Sequence, residues 1–207
     1  MTIVAIDGPA GAGKSTVARA VAQRLQFRYL NSGAMYRCVA LAAIERGTEP
    51  REVAPMLAIE PGERVLLDDR DVTDAIRAPA ISEAASRAAA DPSVRTALFE
   101  KQRSLLATGD WVAEGRDIAT VVAPDADVQV FLTADPSVRA RRRAAEIDAD
   151  PGTVLAEQVI RDERDSTREI SPLKPAPQAV VLDTTDLAFD EVVDRVVELT
   201  QLASGRS

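Results

Sequence analysis

The sequence predicts an α/β fold in which helices flank a parallel β-sheet. Three observations carry that prediction. Four short apolar runs, Thr2–Asp7, Trp111–Glu114, Val128–Thr133 and Ala179–Asp183, read as buried strands, with Phe27–Leu30 as a shorter fifth. Helical patterns separate these runs, and strands that alternate with helices make parallel sheets. The first run passes through a glycine-rich turn directly into a helical stretch, Thr16–Leu25.

That turn, Gly8-Pro9-Ala10-Gly11-Ala12-Gly13-Lys14-Ser15, fits the phosphate-loop pattern G-x-x-x-x-G-K-[ST], in the strand-turn-helix context that the pattern requires. Its glycines let the backbone turn N–H groups toward a phosphate, and the helix N-terminus adds partial positive charge. Lys14 is placed to reach the β- and γ-phosphates, and the Ser15 hydroxyl to hold Mg²⁺, with Thr16 beside it. The expected fold is therefore the three-layer P-loop NTPase type, with a five-stranded parallel sheet.

Further along, residues 34–46 read as a helix closed by Gly47, with Met35, Val39, Ala42 and Ala43 on one buried stripe. The stretch Arg64–Thr73 reads as a small hairpin around the tip Asp68–Arg70, within an inserted subdomain. Residues 80–90 and 92–107 are helical, broken at Asp91-Pro92. Asp135-Pro136 opens a helix that carries Arg139, Arg141, Arg142 and Arg143. After a turn near Asp148–Gly152, a helix over 153–168 sets Arg161, Arg164, Asp165 and Arg168 on one face. These two helices read as a lid that closes over phosphates, or as a solvated charged hairpin; charge alone does not separate the two. A stiff connector, Ser171–Pro177, leads to the last strand and to a helix over Phe189–Leu202, with Ser204–Ser207 frayed.

Composition narrows the function. At 207 residues, the chain suits a single domain. Its net charge of -8 argues against nucleic-acid or membrane partners. Apart from Lys14, Lys101 and Lys174, every cationic side chain is arginine, the better residue for bidentate phosphate contacts, although a compositional bias also produces such an excess. The chain has no histidine, which removes histidine bases and histidine metal ligands. Cys38 stands alone, and no basic-then-apolar leader precedes the first strand, so a cytoplasmic protein is expected; with no long exposed apolar patch evident, a monomer is expected.

Two further segments fall on the carboxyl rim of the sheet, where parallel sheets bind ligands. They are Ser32-Gly33-Ala34-Met35-Tyr36-Arg37 and Glu114-Gly115-Arg116-Asp117. Together with the phosphate loop, Pro124-Asp125-Ala126 and Arg161–Arg168, they make the chain resemble the bacterial cytidylate kinases, within the nucleoside monophosphate kinases. The resemblance spans almost the whole chain. It implies transfer of the γ-phosphate of ATP to CMP or dCMP, with Mg²⁺. It implies that Ser32, Arg95 and Asp117 address the cytosine edge, and that Ser86, Arg161 and Asp165 lie near the ribose with Tyr36 packed nearby. Arg37, Arg116 and Arg168 would hold the monophosphate, and Arg139 and Arg142 would make lid contacts. Lys14, Arg116, Arg142 and Arg168 would then be the catalytic set. The resemblance also makes residues 61–103 an inserted monophosphate-binding subdomain and residues 139–170 the lid. In two places the chain departs from the family. Asn31 stands where Asp is usual, which bears on metal binding, and Ala119 stands where Gly is usual, which would be strained at positive φ. Rival readings are a kinase for another small acceptor, a nucleotide-dependent switch and a non-catalytic nucleotide scaffold. The switch lacks the N-K-x-D guanine motif, since Asn31 is the only asparagine.

Overall fold

The computed structural model describes residues 1–205. In chain order, the first half holds β1 (Ile3–Asp7), α1 (Lys14–Leu25), β2 (Arg28–Asn31), α2 (Ser32–Arg46), α3 (Pro50–Val53), β3 (Ile59–Glu60), β4 (Leu66–Leu67), β5 (Arg70–Asp71), α4 (Pro79–Ala88) and α5 (Pro92–Leu106). The second half holds β6 (Trp111–Gly115), β7 (Val128–Thr133), α6 (Pro136–Ile147), α7 (Pro151–Thr167), β8 (Val180–Asp183) and α8 (Phe189–Ser204). A π-helical turn, Ile118–Val122, follows β6.

The five apolar runs form one parallel sheet in the order β2-β6-β1-β7-β8. Period-two alternation sends Val4, Ile6, Val112 and Val130 to one face, where α1 and α8 cover them with Val17, Val21, Val192 and Val196. Ala5, Leu30, Trp111 and Ala113 point to the other face, against Phe99 and Leu106 of α5 and the turn at Ile118. The result is a helix–sheet–helix sandwich, as expected for the P-loop NTPase type.

The second strand starts one residue later than its apolar pattern suggests. Gln26 takes a left-handed conformation (φ 59°), and the Phe27 amide donates back to the Ala22 carbonyl at 2.9 Å, completing the C-cap of α1. Helix α2 starts earlier than its apolar stripe, because the Asn31 side chain accepts from the Ala34 amide at 2.9 Å and caps it. The expected hairpin is β4–β5, turning at Asp68 and Asp69, both at positive φ (49° and 65°). Tight hairpins favour such mirror-image turns, and aspartate tolerates them. Strand β3 adds a third member that no local pattern announced. This small sheet, α3, α4 and Val94 and Leu98 of α5 share one core with α2. Helices α6 and α7 pair over a much smaller core of Ala140, Ala144 and Val154. Of the C-terminal residues expected to fray, Ser204 is helical, while Arg206 and Ser207 lie outside the described residues.

One buried carboxylate ties the centre of the sheet to the segment after β6. Asp7, at the end of β1, is 2% exposed and accepts from the Ile118 amide at 2.9 Å and the Ala119 amide at 2.8 Å. Burial raises its pKa from 3.8 to about 7, against the pull of those two donors. A carboxyl whose folded pKa exceeds its unfolded value takes up a proton on folding. Its contribution to stability is therefore full below about pH 4 and is lost as pH rises toward 7. Asp7→Ala should strand two buried amides and lower stability by about 2–4 kcal/mol. The urea midpoint should fall at unchanged slope, and the decline in stability between about pH 4 and 7 should flatten. An unchanged midpoint would contradict the clamp.

Candidate active site

The phosphate loop runs from the end of β1 into α1. Gly8 has φ 150°, and a Cβ there would lie 2.1 Å from the Leu132 carbonyl oxygen of β7. Gly11 has φ 74°, and a Cβ there would meet the Gln158 amide at 2.6 Å and the Arg139 carbonyl oxygen at 2.7 Å. Only glycine fits either place, and the loop is wedged between β7 on one side and α6 and α7 on the other. Lys14 is buried and donates to the Pro9 carbonyl at 2.7 Å. Burial, and then the charges of Arg116 and Arg161, lower its pKa from 10.5 to about 7, although Glu114 opposes them. The loop lysine thus shares one electrostatic field with two arginines from distant parts of the chain. Ser15 and Thr16 are exposed on the first turn of α1.

Across the rim stands a group of arginines from α2, α5, α7 and the segment after β6. Arg95, 2% exposed, forms an ion pair with the buried Asp117. Its guanidinium lies 5.0 Å from the Phe99 ring centroid and 5.8 Å from that of Tyr36, and it donates to the Ala89 carbonyl at 3.1 Å. Burial raises the Asp117 carboxyl, while Arg95 and Arg168 pull it down. Asp165 accepts from Arg116 Nε at 3.1 Å and faces Arg168 Nη1 at 3.5 Å. Burial pushes Asp165 up, but Arg116, Arg161 and Arg168 hold it below the ordinary carboxylate value. Arg168 also donates to the Ser171 carbonyl at 2.5 Å.

Several cationic donors in this group have no protein partner. Nε of Arg37, Arg95 and Arg161, Nη2 of Arg168 and the Tyr36 hydroxyl are buried without an acceptor or donor. Burial, then the Arg116 charge, lowers Arg161 to about 10, and burial lowers Arg37. Buried polar groups are normally satisfied, so an unpaired cluster of this kind marks an anion site. Ser32, also buried, donates its hydroxyl to the Glu114 carbonyl at 2.9 Å. Ser86 accepts from Arg164 at 2.9 Å, which links α4 to α7.

The arginines of α6 divide by helical phase. Arg139 donates to the Ala10 carbonyl of the phosphate loop at 2.9 Å and pairs with Asp162 at 2.6 Å, fastening α6 and α7 to the loop. Arg142 is turned away, bound to the Thr184 hydroxyl and carbonyl at 2.9 and 2.7 Å, and the structure does not bring it into the arginine group. Arg143, one turn beyond Arg139, acts instead on Arg37 and Arg161 through its charge. Neither residue type nor spacing distinguishes Arg142 from Arg143 in the sequence, since i+3 and i+4 from Arg139 lie on one helical face, and the lid role expected of Arg142 is not met.

The Glu114 side chain, to which the sequence pattern assigns no role, also belongs to the site. It is buried, accepts from the Tyr29 hydroxyl at 2.9 Å, and favours the cationic forms of Lys14 and Arg37. At the two departures, Asn31 donates to the Tyr29 hydroxyl at 3.1 Å while capping α2, so its amide bridges two elements. Ala119 is not among the residues at positive φ, and the strain expected of it does not arise. The described residues contain no group of three or more carboxylate or thiol side chains able to cage a metal.

Comparison with known proteins places the chain in a family. The cytidylate kinase family model matches residues 4–202. A cytidylate kinase of Carboxydothermus hydrogenoformans is 45% identical, covering 95% of this chain and 96% of its own. A cytidylate kinase of Rhodococcus jostii is 44% identical, covering 98% and 96%. Among solved structures, a shikimate kinase of Bacteroides thetaiotaomicron superposes with a TM-score of 0.52 at 14% identity over 97% of this chain and 98% of its own, a likeness of fold alone. The phosphate loop, the arginine group facing it and near-full-length identity lead to one assignment: the chain belongs to the cytidylate kinase family, enzymes that transfer a phosphoryl group to a nucleoside monophosphate.

Proposed function

We propose that the protein transfers the γ-phosphate of ATP to CMP or dCMP, releasing ADP and CDP or dCDP. One observation supports this reading above the others. The buried, unpaired donors of Arg37, Arg161 and Arg168 belong to one charged neighbourhood: Arg37 and Arg116 act on Arg161, Arg168 acts on Asp117 beside Arg95, and Arg116 and Arg161 act on Lys14 of the phosphate loop. An anion-binding arginine group and a triphosphate loop thus share one site.

The acceptor phosphate is its own nucleophile. Its second pKa is about 6, so it is dianionic at neutral pH and needs no general base. A chain without histidine loses nothing by that route. Arg37, Arg116 and Arg168 hold the acceptor phosphate in line with the γ-phosphorus. An acceptor oxygen bonds to that phosphorus as its bond to the bridging β,γ-oxygen breaks, and the electron pair leaves with ADP. Residues 8–16 cradle the donor phosphates, and Lys14 offsets charge on the β- and γ-oxygens. Ser15 would hold Mg²⁺, which draws charge from the transferring oxygens when bound. Ser32 and Asp117 read the cytosine edge. Arg95 fixes the Asp117 carboxylate as an acceptor for the 4-amino group, which uracil lacks. Ser86, Arg161 and Asp165 flank the ribose, beside Tyr36. Residues 61–103 act as the acceptor subdomain. Residues 139–170 act as the lid that excludes water, with Arg139 and Arg143 on its inner side; Arg142, held by Thr184, takes no part. Among the described residues, no helix is long and apolar enough to cross a membrane. The reading is of a cytoplasmic monomer.

The direct test is ADP formation from Mg-ATP with CMP, dCMP, UMP, AMP and GMP as separate acceptors. CMP and dCMP should stand well above the rest; another preferred acceptor overturns the base-site roles. Arg116→Ala should reduce kcat by about 10²–10⁴-fold with the fold intact, since that side chain contacts a transferring charge; a near-normal rate removes it from the site. Asp117→Asn should narrow the CMP-over-UMP preference, because an amide serves either base edge; unchanged discrimination removes the base-reading role. Bound triphosphate favours charged Lys14, so nucleotide binding at about pH 8 should take up a proton. Calorimetry in buffers of different ionisation enthalpy measures that uptake, and a zero slope contradicts it.

A further inference from the structure

A cleft of about 400 Å³ lies away from this site, along the edge strand β2, between α1 and the loop Pro61–Glu63. Arg28 and Trp111 line it and begin their parallel strands, whereas the phosphate loop follows the end of a strand. The cleft is therefore at the opposite end of the sheet from the rim that carries Arg116 and Asp117.

Its arginines differ from the paired ones of the surface: acidic residues outnumber basic ones in this chain, and several exposed arginines find carboxylates, as in Arg24–Asp194, Arg46–Asp68 and Arg70–Glu45. Arg19 and Arg28 have neither a carboxylate nor a carbonyl partner among the described residues. Nε of Arg19 is buried and unpaired, a condition it shares with Arg37, Arg95 and Arg161 of the anion site. Both guanidiniums are instead set against aromatic rings, Arg28 at 4.4 Å from the Trp111 centroid and Arg19 at 5.7 Å from that of Tyr29. Stacking fixes their planes and leaves their N–H donors free. Arg28 is exposed, so the face turned away from Trp111 is open to a second flat group. Arginine planes stack nucleobases in this way.

We propose that this cleft is a second nucleotide site, separate from the active site. The base stacks on the outer face of Arg28, and the phosphates take the free donors of Arg19. The Gln23–Glu63 hydrogen bond, 3.1 Å, joins the two walls of the cleft and brackets the ligand.

The test fills the active site first, with a bisubstrate analogue joining cytidine and adenosine through five phosphates, and then adds radiolabelled ATP in equilibrium dialysis. One further ATP per chain should bind saturably and change the emission of Trp111, the only tryptophan. Arg19→Ala and Arg28→Ala should each weaken this second binding about tenfold or more, the effect of losing one charged contact, with kcat unchanged. Arg28 is exposed and unpaired, so its replacement leaves no buried charge behind and tests the proposal even if Arg19→Ala unfolds. No ATP bound beyond the analogue overturns the proposal, as does undiminished binding in both variants. Displacement of ATP by inorganic pyrophosphate at equal concentration also overturns it, because the base would then contribute nothing.

Discussion

The carboxylate of Asp7 sets the geometry on which the rest of the site depends. It stands where β1 ends and the phosphate loop begins, and it holds the amides of Ile118 and Ala119, just after Arg116 and Asp117. Two pieces of chain more than a hundred residues apart are thereby fixed at hydrogen-bonding distance in the centre of the sheet. The interaction is dry, and burial raises Asp7 to about 7, so two donors are needed to keep the group there. Gly8 repeats the constraint on the other side, where contact with the Leu132 carbonyl leaves no room for a Cβ. With the loop held on both flanks, donor and acceptor groups keep their spacing without a large rearrangement of the sheet.

Charge is distributed unevenly over this acidic molecule. On the surface, arginines pair with exposed carboxylates in contacts that contribute little. Inside the site, Asp165 and Asp117 compensate the arginines only in part. The remaining donors are buried and unpaired, and Lys14 and Arg161 are pushed toward deprotonation. Such a site is poor as a structural element and suited to an anion that completes it. Helices α6 and α7, which bring Arg161, Asp165 and Arg143, rest on a core of three small or medium side chains. Polar contacts tie them to the rest of the molecule at several points: Arg139 to Ala10 of the phosphate loop, Arg142 to Thr184 and Arg164 to Ser86. Polar anchoring over a thin core is the arrangement expected of an element that moves with its ligand.

Much of this was legible in the sequence, for physical reasons. Buried parallel strands are continuous apolar runs, so β1, β6 and β7 appeared nearly to the residue; β8 reads the same way and its bounds were near, but it is an exposed edge strand, with Val180 and Val181 open to solvent. The phosphate loop is a local structure with local determinants. What failed to show depended on tertiary context. Strand β3 is two residues long and exists only through pairing with β4. The start of β2 was decided by a helix cap borrowing the Phe27 amide. The Asp7 clamp closes over a long sequence separation, and the residue reads merely as the polar end of an apolar run. Arg142 and Arg143 are adjacent and chemically alike, and only a helical phase of about 100° per residue separates the one at Thr184 from the one that acts on Arg37. Ala119 read as a strained departure because its φ was unknown, and the wide turn accommodates it.

The central claim is that the unpaired arginines are built for the phosphate of a cytidine monophosphate. Comparing the affinity of the protein for CMP and for cytidine, by calorimetry, tests it most directly. Two or three charge-assisted contacts to one phosphate should make CMP bind on the order of a thousandfold more tightly. Cytidine binding as tightly as CMP would contradict the account, since the arginines would then be doing something other than holding the acceptor.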